Sequence, residues 1–364
     1  MELLILDQTL GLKQVLSAWE HFSFTQKLNA RGEFSLTINA NLPQAENLGV
    51  GQLLYLSPTM CGYITRKETI SQADVANEVI NLSGIALKDI IASRITEPPE
   101  GKDAFTYEKQ PTDTIVMDLI NQLLVSPEDE RKRIAIFELG EIFGVGTEQD
   151  FSTRLKPLDA QVYELLAVDN LGLRCSADLT RKKATFSVIK GANRTIDQTR
   201  NAPAIFSLNM GTLEKAVMTQ DITSYKTVGI AGGAGEGLER TLKEIPKDNT
   251  LSGFSRWETF IDLSDAKTDD ELVSRGQTAL TEFDKVYAID GQTRDADRFT
   301  FSLGDTVTIQ DNQKNYQNVQ VTAMTRTFDA SHIEKRSLVF GKAPASIAQA
   351  MNRRLNGLNN ILTK

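Results

Sequence analysis

Apolar residues recur at every second position over many short runs, and this alternation limits the fold more than any other feature of the chain. In GEFSLTINA it sets Phe34, Leu36 and Ile38 on one side, the pattern of a strand with one buried face. Breakers such as Asn41 to Pro43 and Ser57-Pro58 end the runs, so Leu3 to about Thr96 reads as several short antiparallel strands. Within GIALKDIIASRI, Ile85 to Ile95 switch to helical spacing, and EPPEGKD at 97–103 follows as a boundary.

The texture then changes. Thr112 to Val125 and Ala160 to Leu171 carry helical spacing, with an N-cap region at Pro111-Thr112-Asp113, and strands such as ATFSVIKG interleave. Alternation returns from about Ala204, and Leu272, Gly276, Ala279, Leu280 and Phe283 share one side of an expected helix. At roughly 150 residues per domain, 364 residues hold two or three. The predicted fold is β-rich α+β: a first β-barrel over 1–97, an α+β insert over 98–200, a second β-barrel over 201–343 with an inserted helix near 268–286, and a C-terminal helix over 344–364.

Composition excludes several function classes. Forty basic residues against 48 acidic ones give a net charge of -8, which opposes a nucleic-acid-gripping surface. Cys61 and Cys175 are too few for a disulfide framework or a thiolate zinc site, and His21 and His332 are the only histidines, so no metal centre is expected. MELLILDQTLGLKQVL lacks a basic leader, and no run approaches the roughly 20 apolar residues of a membrane span. The expected site of synthesis and folding is a cytoplasm.

VGIAGGAGEGLERT has the strand-then-glycine texture of a phosphate-binding loop but fails its chemistry. Leu238 and Arg240 stand where the third dinucleotide-loop glycine belongs, and Leu238 and Glu239 stand where a Walker lysine and hydroxyl belong. No nucleotide or other cofactor is expected, and the loop reads as a tight turn between strands. Glu138, Glu141, Asp150 and Asp159 bear no mark of an acid–base pair, and no Ser or Cys signature involves His21 or His332. Arg131-Lys132-Arg133 is offset by Glu128-Asp129-Glu130. Ile347, Met351, Leu355, Leu358 and Leu362 form a narrow apolar seam, suited either to self-association or to docking on the chain's own domain.

GQLLYL at 51–56 precedes a turn and CGYITRKETI, while GDTVTI at 304–309 precedes a longer turn and VTAMTRTFD. The second strands carry Thr65-Arg66 and Thr325-Arg326. Two readings stand: ordinary hairpins alike by chance, or a duplicated β-module.

Three blocks together resemble the tail-hub family of long-tailed bacteriophages, the hub portion of tail-associated (Tal-type) tip proteins. They are LLILD with FTQKLNARGEFSLTINAN, then INLSGIALKDIIASRI, then TSYKTVGIAGGAGEGLERTLKEI with SRWETFIDL. The last carries the family signature at Tyr225, Lys226, Gly232, Gly233, Gly235, Glu236, Gly237 and Arg240. The resemblance runs to about Gly341 and implies a non-enzymatic homotrimer with two similar barrels per subunit, a pseudo-sixfold ring at the virion tail tip. Its implied partners are a distal tail protein ring, the tail tube, the tape-measure protein and receptor-binding or fibre proteins, with DNA passing through without specific binding. A cell-wall hydrolase using middle-domain carboxylates, and the same hub in a prophage-derived tail-like particle, are the alternatives.

Overall fold

The structure is a computed structural model that describes residues 1–71, 78–222, 225–235, 237–264, 266, 268–280, 283, 286–293, 299–310 and 316–341. The C-terminal helix predicted over 344–364, with its seam from Ile347 to Leu362, lies outside the described residues, as does Glu236. The chain divides into two compact units, Met1–Ala216 with Asp290–Phe340, and Val217–Ile289 together with Gly341.

The first segment supplies β1 (Leu3–Leu6), β2 (Leu12–Leu16), β3 (His21–Lys27), β4 (Glu33–Asn39), β5 (Leu53–Ser57), β6 (Met60–Ile70) and β7 (Val79–Ala86). Alternation in β4 buries Phe34, Leu36 and Ile38 as the sequence predicts, beside Phe22 and Phe24 of β3. The helical spacing over 85–95 takes the form of a 3-10 turn, Leu87–Ser93, that buries Leu87 and Ile91. The insert follows as β8 (Phe105–Pro111), α1 (Thr112–Ile120) with a π-helical turn, Asn121–Val125, then β9 (Phe137–Leu139), β10 (Glu148–Thr153), α2 (Leu158–Val168), β11 (Gly172–Asp178), β12 (Lys183–Ile189) and β13 (Asn193–Arg194). The α1 and α2 faces join Leu6, Leu53 and Cys61 of the strands in one apolar cluster, so insert and sheet share a core.

Beyond the insert come β14 (Ile205–Ser207) and β15 (Leu213–Asp221). Next are β16 (Val228–Gly232), β17 (Leu242–Pro246), β18 (Glu258–Asp262) and α3 (Asp269–Leu280), and last β19 (Val286–Thr293), β20 (Thr306–Gln310), β21 (Tyr316–Asp329) and β22 (Glu334–Gly341). One fourteen-stranded sheet runs β15-β19-β22-β21-β3-β4-β7-β6-β5-β1-β2, with β13, β14 and β20 attached beside it. The described residues therefore form no closed barrel, in place of the two that the sequence predicts. Period-two alternation fixes which face of a strand is buried but not which edge it shares. Here β21 crosses to β3, from Ala323↔Lys27 to Asp329↔His21. Across that seam the buried Thr25 and Thr325 hydroxyls meet at 3.0 Å, and the buried Phe22 and Phe328 rings stack at 5.9 Å.

The two hairpins singled out in the sequence are built alike. The Gly51 N–H donates to the Ile64 carbonyl and the Ile64 N–H to that of Gln52, both at 2.9 Å. The Gly304 N–H donates to the Val321 carbonyl at 2.8 Å and the Val321 N–H to that of Asp305 at 2.9 Å. Both glycines hold positive φ, 83° and 95°, which a residue with a Cβ adopts at a cost. The register then slips at matching places, between Ile64 and Arg66 against β7 and between Val321 and Ala323 against β22. The extra residues are Thr65 and Thr322, whose hydroxyls donate to the carbonyls of Ser83 (3.4 Å) and Val339 (3.3 Å). Thr65 thus corresponds to Thr322, not to Thr325, and Arg66 to Ala323, which corrects the Thr-Arg pairing read from sequence.

Glu334 accepts a bidentate pair from Arg326 (2.7 Å to each oxygen) and a further bond from Arg336. Burial pushes its carboxyl up, but the two guanidiniums outweigh it and bring the value down to about 2. A carboxylate depressed in the folded state stabilises above its unfolded value near 4.5, and that contribution is lost as pH falls toward 2. Glu334→Gln is therefore expected to cost about 1–2 kcal/mol at pH 7, allowing for solvent screening, and nothing near pH 2. Urea unfolding at both pH values checks this; an equal cost at both would show that the ion pairs contribute nothing.

Candidate functional site

The Gly-rich signature lies wholly in the second unit. There β16 is the central strand of a three-stranded sheet, antiparallel to β17 and parallel to β18. Ala231, Ile245 and Ile261 of the strands and Leu272 and Leu280 of α3 are buried together. A Cβ on Gly276 would lie 2.1 Å from Ile245 Cδ1, so glycine there lets α3 pack on the sheet without displacing that buried side chain. On the other face Leu242 and Phe260 are more than half exposed.

Tyr225 and Lys226 enter the signature half-buried, and the Lys226 N–H donates to the Phe283 carbonyl at 2.9 Å. Gly232 ends β16; a Cβ there would meet the Phe260 ring at 2.7 Å and Arg240 Nε at 2.8 Å. Gly233 passes beside Leu272, Gly235 turns at φ 102°, and Gly237 opens a 3-10 turn, Gly237–Glu239, at φ 57°. Arg240 then folds back over the loop. Its guanidinium donates to the Gly232 and Gly233 carbonyls at 3.1 Å each, pairs with Asp262, and covers the Phe260 ring at 5.1 Å. The loop leads into an antiparallel strand, so its amides turn toward β17: Gly233 N–H to the Thr241 carbonyl, 2.8 Å, and Thr241 N–H to that of Ala234, 3.1 Å. A phosphate loop instead aims such amides from the start of an α-helix.

Arg240→Ala is expected to speed hydrogen exchange at Gly233 and Thr241 by about 10–100-fold, because charge-assisted bonds contribute about 1.5–3 kcal/mol. Mass-resolved exchange reads this locally. Unchanged exchange would show that backbone pairing alone holds the loop.

The middle-domain carboxylates are held separately. Glu138 on β9 accepts from Arg181 (2.9 Å twice) and Thr185 (2.8 Å), Asp150 on β10 accepts the Lys109 N–H (2.8 Å), and Asp159 on α2 pairs with Arg31 (2.5 Å). Glu141 is exposed between β9 and β10. Among the described residues, no group of His, Cys, Asp or Glu is arranged to hold a metal ion. His332 stacks on Trp19 at 4.0 Å, and His21 lies in β3 with its pKa lowered by burial. Burial pushes the Cys61 thiol up to about 12 and raises that of Cys175 as well, leaving neither poised as a nucleophile. No described helix is long and apolar enough to cross a membrane.

Two features escape the sequence reading. The first is a buried ionic cluster of Lys88, Asp89 and Tyr163 where the insert meets the sheet. Its one trace in the sequence is that Lys88-Asp89 falls inside the block INLSGIALKDIIASRI. The second is the outer half of β6, exposed from Thr65 to Ile70.

Against known proteins, the sequence model of the siphovirus ReqiPepy6 Gp37-like protein family matches residues 2–342. No curated protein sequence matches the chain. Among solved structures, a tail protein from Neisseria meningitidis MC58 is similar at 9% identity, with 94% of this chain and 96% of that one covered and a TM-score of 0.59. The prophage MuSo2 43 kDa tail protein from Shewanella oneidensis gives 11%, 93%, 97% and 0.57. Prophage tail protein gp18 from Listeria monocytogenes EGD-e gives 12%, 99%, 100% and 0.54. At these identities the likeness is one of fold.

Proposed function

Because the chain belongs to the siphovirus ReqiPepy6 Gp37-like protein family, we propose that it is a non-enzymatic structural protein of a phage tail, the homotrimeric hub at the tail tip. The observation that carries this reading is the family match over 2–342, joined to a fold shared over nearly full length with prophage tail proteins. In the proposed role three subunits, each with two similar β-modules, form a pseudo-sixfold ring around the DNA exit channel. The ring is assembled in the host cytoplasm, seats a distal tail protein ring below the tail tube and tape-measure protein, and carries receptor-binding or fibre proteins. The signature loop from Tyr225 to Arg240 serves as a structural clasp and binds no nucleotide. The hydrolase alternative gains no support from carboxylates already engaged by Arg181, Lys109 and Arg31.

A net charge of -8 gives about -24 for three chains. A neutral or acidic wall lets DNA slide, whereas a lysine-rich one holds phosphates through counterion release. Light scattering over a concentration series is expected to show a trimer, weak without its neighbouring ring. A chain still monomeric at roughly millimolar concentration would sink the hub reading, since mass action favours a subunit's own assembly there.

A further inference from the structure

The matching hairpins belong to a larger repeat. In the first part of the sheet the strand order is β3-β4-β7-β6-β5, and in the other it is β15-β19-β22-β21, with β20 on the far edge of β21. Aligned on Thr65 and Thr322, Arg66–Ile70 of β6 correspond to Ala323–Thr327 of β21. That stretch of β21 has both edges paired: β22 lies on one, and β3 on the other, from Ala323↔Lys27 to Thr327↔Ser23.

The same stretch of β6 is paired on one side only among the described pairings. β7 runs along one edge, from Arg66↔Ser83 to Ile70↔Val79. On the other edge β5 pairs no further than Leu53↔Tyr63, and the Gly51-Gln52 turn closes on Ile64. Among the described residues no strand takes the position beside β6 that β3 takes beside β21. The strand with that place in the repeat is β15, the last of the sheet's path, whose residues Leu213–Ala216 lie in the first unit.

We propose that β15 of a second copy of this chain adds antiparallel to the Arg66–Ile70 edge of β6, as β3 adds to β21 within one chain. Unpaired backbone donors and acceptors on such an edge are a template for another strand. The internal β21–β3 seam shows what partner this module accepts there. Both edges carry exposed charges of both signs, Arg66, Lys67 and Glu68 on β6 and Glu214 and Lys215 on β15, which disfavour indiscriminate pairing. The contact joins unlike surfaces, so copies link head to tail and form a ring where the rotation closes. With two modules per chain, three chains would alternate internal and intermolecular seams around six positions. This inference rests on the hub reading and names the surface through which the hub assembles.

The test uses the full chain with Glu68 replaced by the photo-crosslinker p-benzoylphenylalanine, in an equal mixture of isotopically heavy and light copies. Irradiation of the assembled protein is expected to join position 68 of one label to residues 213–221 of the other. Amides of 66–70 are expected to exchange at least about 10-fold more slowly in the assembly than in dilute monomer. A trimer whose 66–70 amides keep the monomer's exchange, or whose crosslinks stay within one label or reach other segments, overturns the strand pairing and leaves the hub standing. A persistent monomer overturns both.

Discussion

Replacing Asp89 by alanine is expected to cost about 3–5 kcal/mol, the usual consequence of removing one partner from a buried ion pair. Lys88 is nearly sealed from solvent and Asp89 fully so. The Lys88 ammonium donates to the Asp89 carboxylate at 3.2 Å, to the Tyr163 hydroxyl oxygen at 2.6 Å and to the Ala30 carbonyl at 2.7 Å. The Asp89 carboxylate also accepts the Gly32 N–H at 2.8 Å and the Tyr163 hydroxyl. Burial lowers the Lys88 pKa and raises that of Asp89, so each charge is costly without the other. Alanine would strand the ammonium and the Gly32 donor together. Asp89→Asn keeps an acceptor for Gly32 and should cost less. Trp19 reports on the first unit and Trp257 on the second, so single-tryptophan variants unfolded in urea should shift at Trp19 and hold at Trp257. A loss below about 1 kcal/mol would mean that water reaches the cluster and solvates the stranded ammonium.

The sequence could speak for β4 because its side chains alternate against a single core, and Phe34, Leu36 and Ile38 fall where period two puts them. It was silent on the β21–β3 pairing because backbone hydrogen bonds form that seam and any alternating strand offers the same donors. The Lys88-Asp89 cluster was invisible for a related reason: adjacent charges in an amphipathic run read as a solvated face until Tyr163, far along the chain, closes over them. In the Gly-rich loop, absent phosphate-binding residues were plain, whereas the clasp by Arg240 depends on carbonyls that carry no side-chain signal. The duplication was half legible. Gly51 and Gly304 survive as a pair, but the Thr-Arg dipeptide shared by 65–66 and 325–326 points to Thr325, whereas the register slips pair Thr65 with Thr322, a bulge that no side-chain pattern marks.

Gly84→Ala is expected to cost about 3 kcal/mol or more, at or beyond the upper end of overpacking penalties. Gly84 sits mid-strand, opposite Phe34 of β4 on one side and Ile64 of β6 on the other. A Cβ there would lie 2.0 Å from the Tyr63 carbonyl oxygen and 2.7 Å from the Phe34 ring. The ring cannot yield readily: Phe34 is buried, stacks on Phe24 at 6.0 Å, and also overlies Gly62, where a Cβ would lie 2.4 Å away. In the repeat the corresponding residue of β22 is Phe340, with Gly291 of β19 beside it, so an aromatic–glycine contact recurs with the strands exchanged. Because the hardest clash is with backbone, Gly84→Ala/Phe34→Ala should be no more stable than Gly84→Ala alone, while Gly49→Ala, with nothing within 4 Å, should stay within about 0.5 kcal/mol of the parent chain. Any displacement of the Tyr63 carbonyl also moves the root of the Arg66–Ile70 edge, so Gly84→Ala should weaken self-association even where the chain still folds. Rescue of stability by Phe34→Ala would show that the ring, and not the β6 backbone, sets the requirement for glycine.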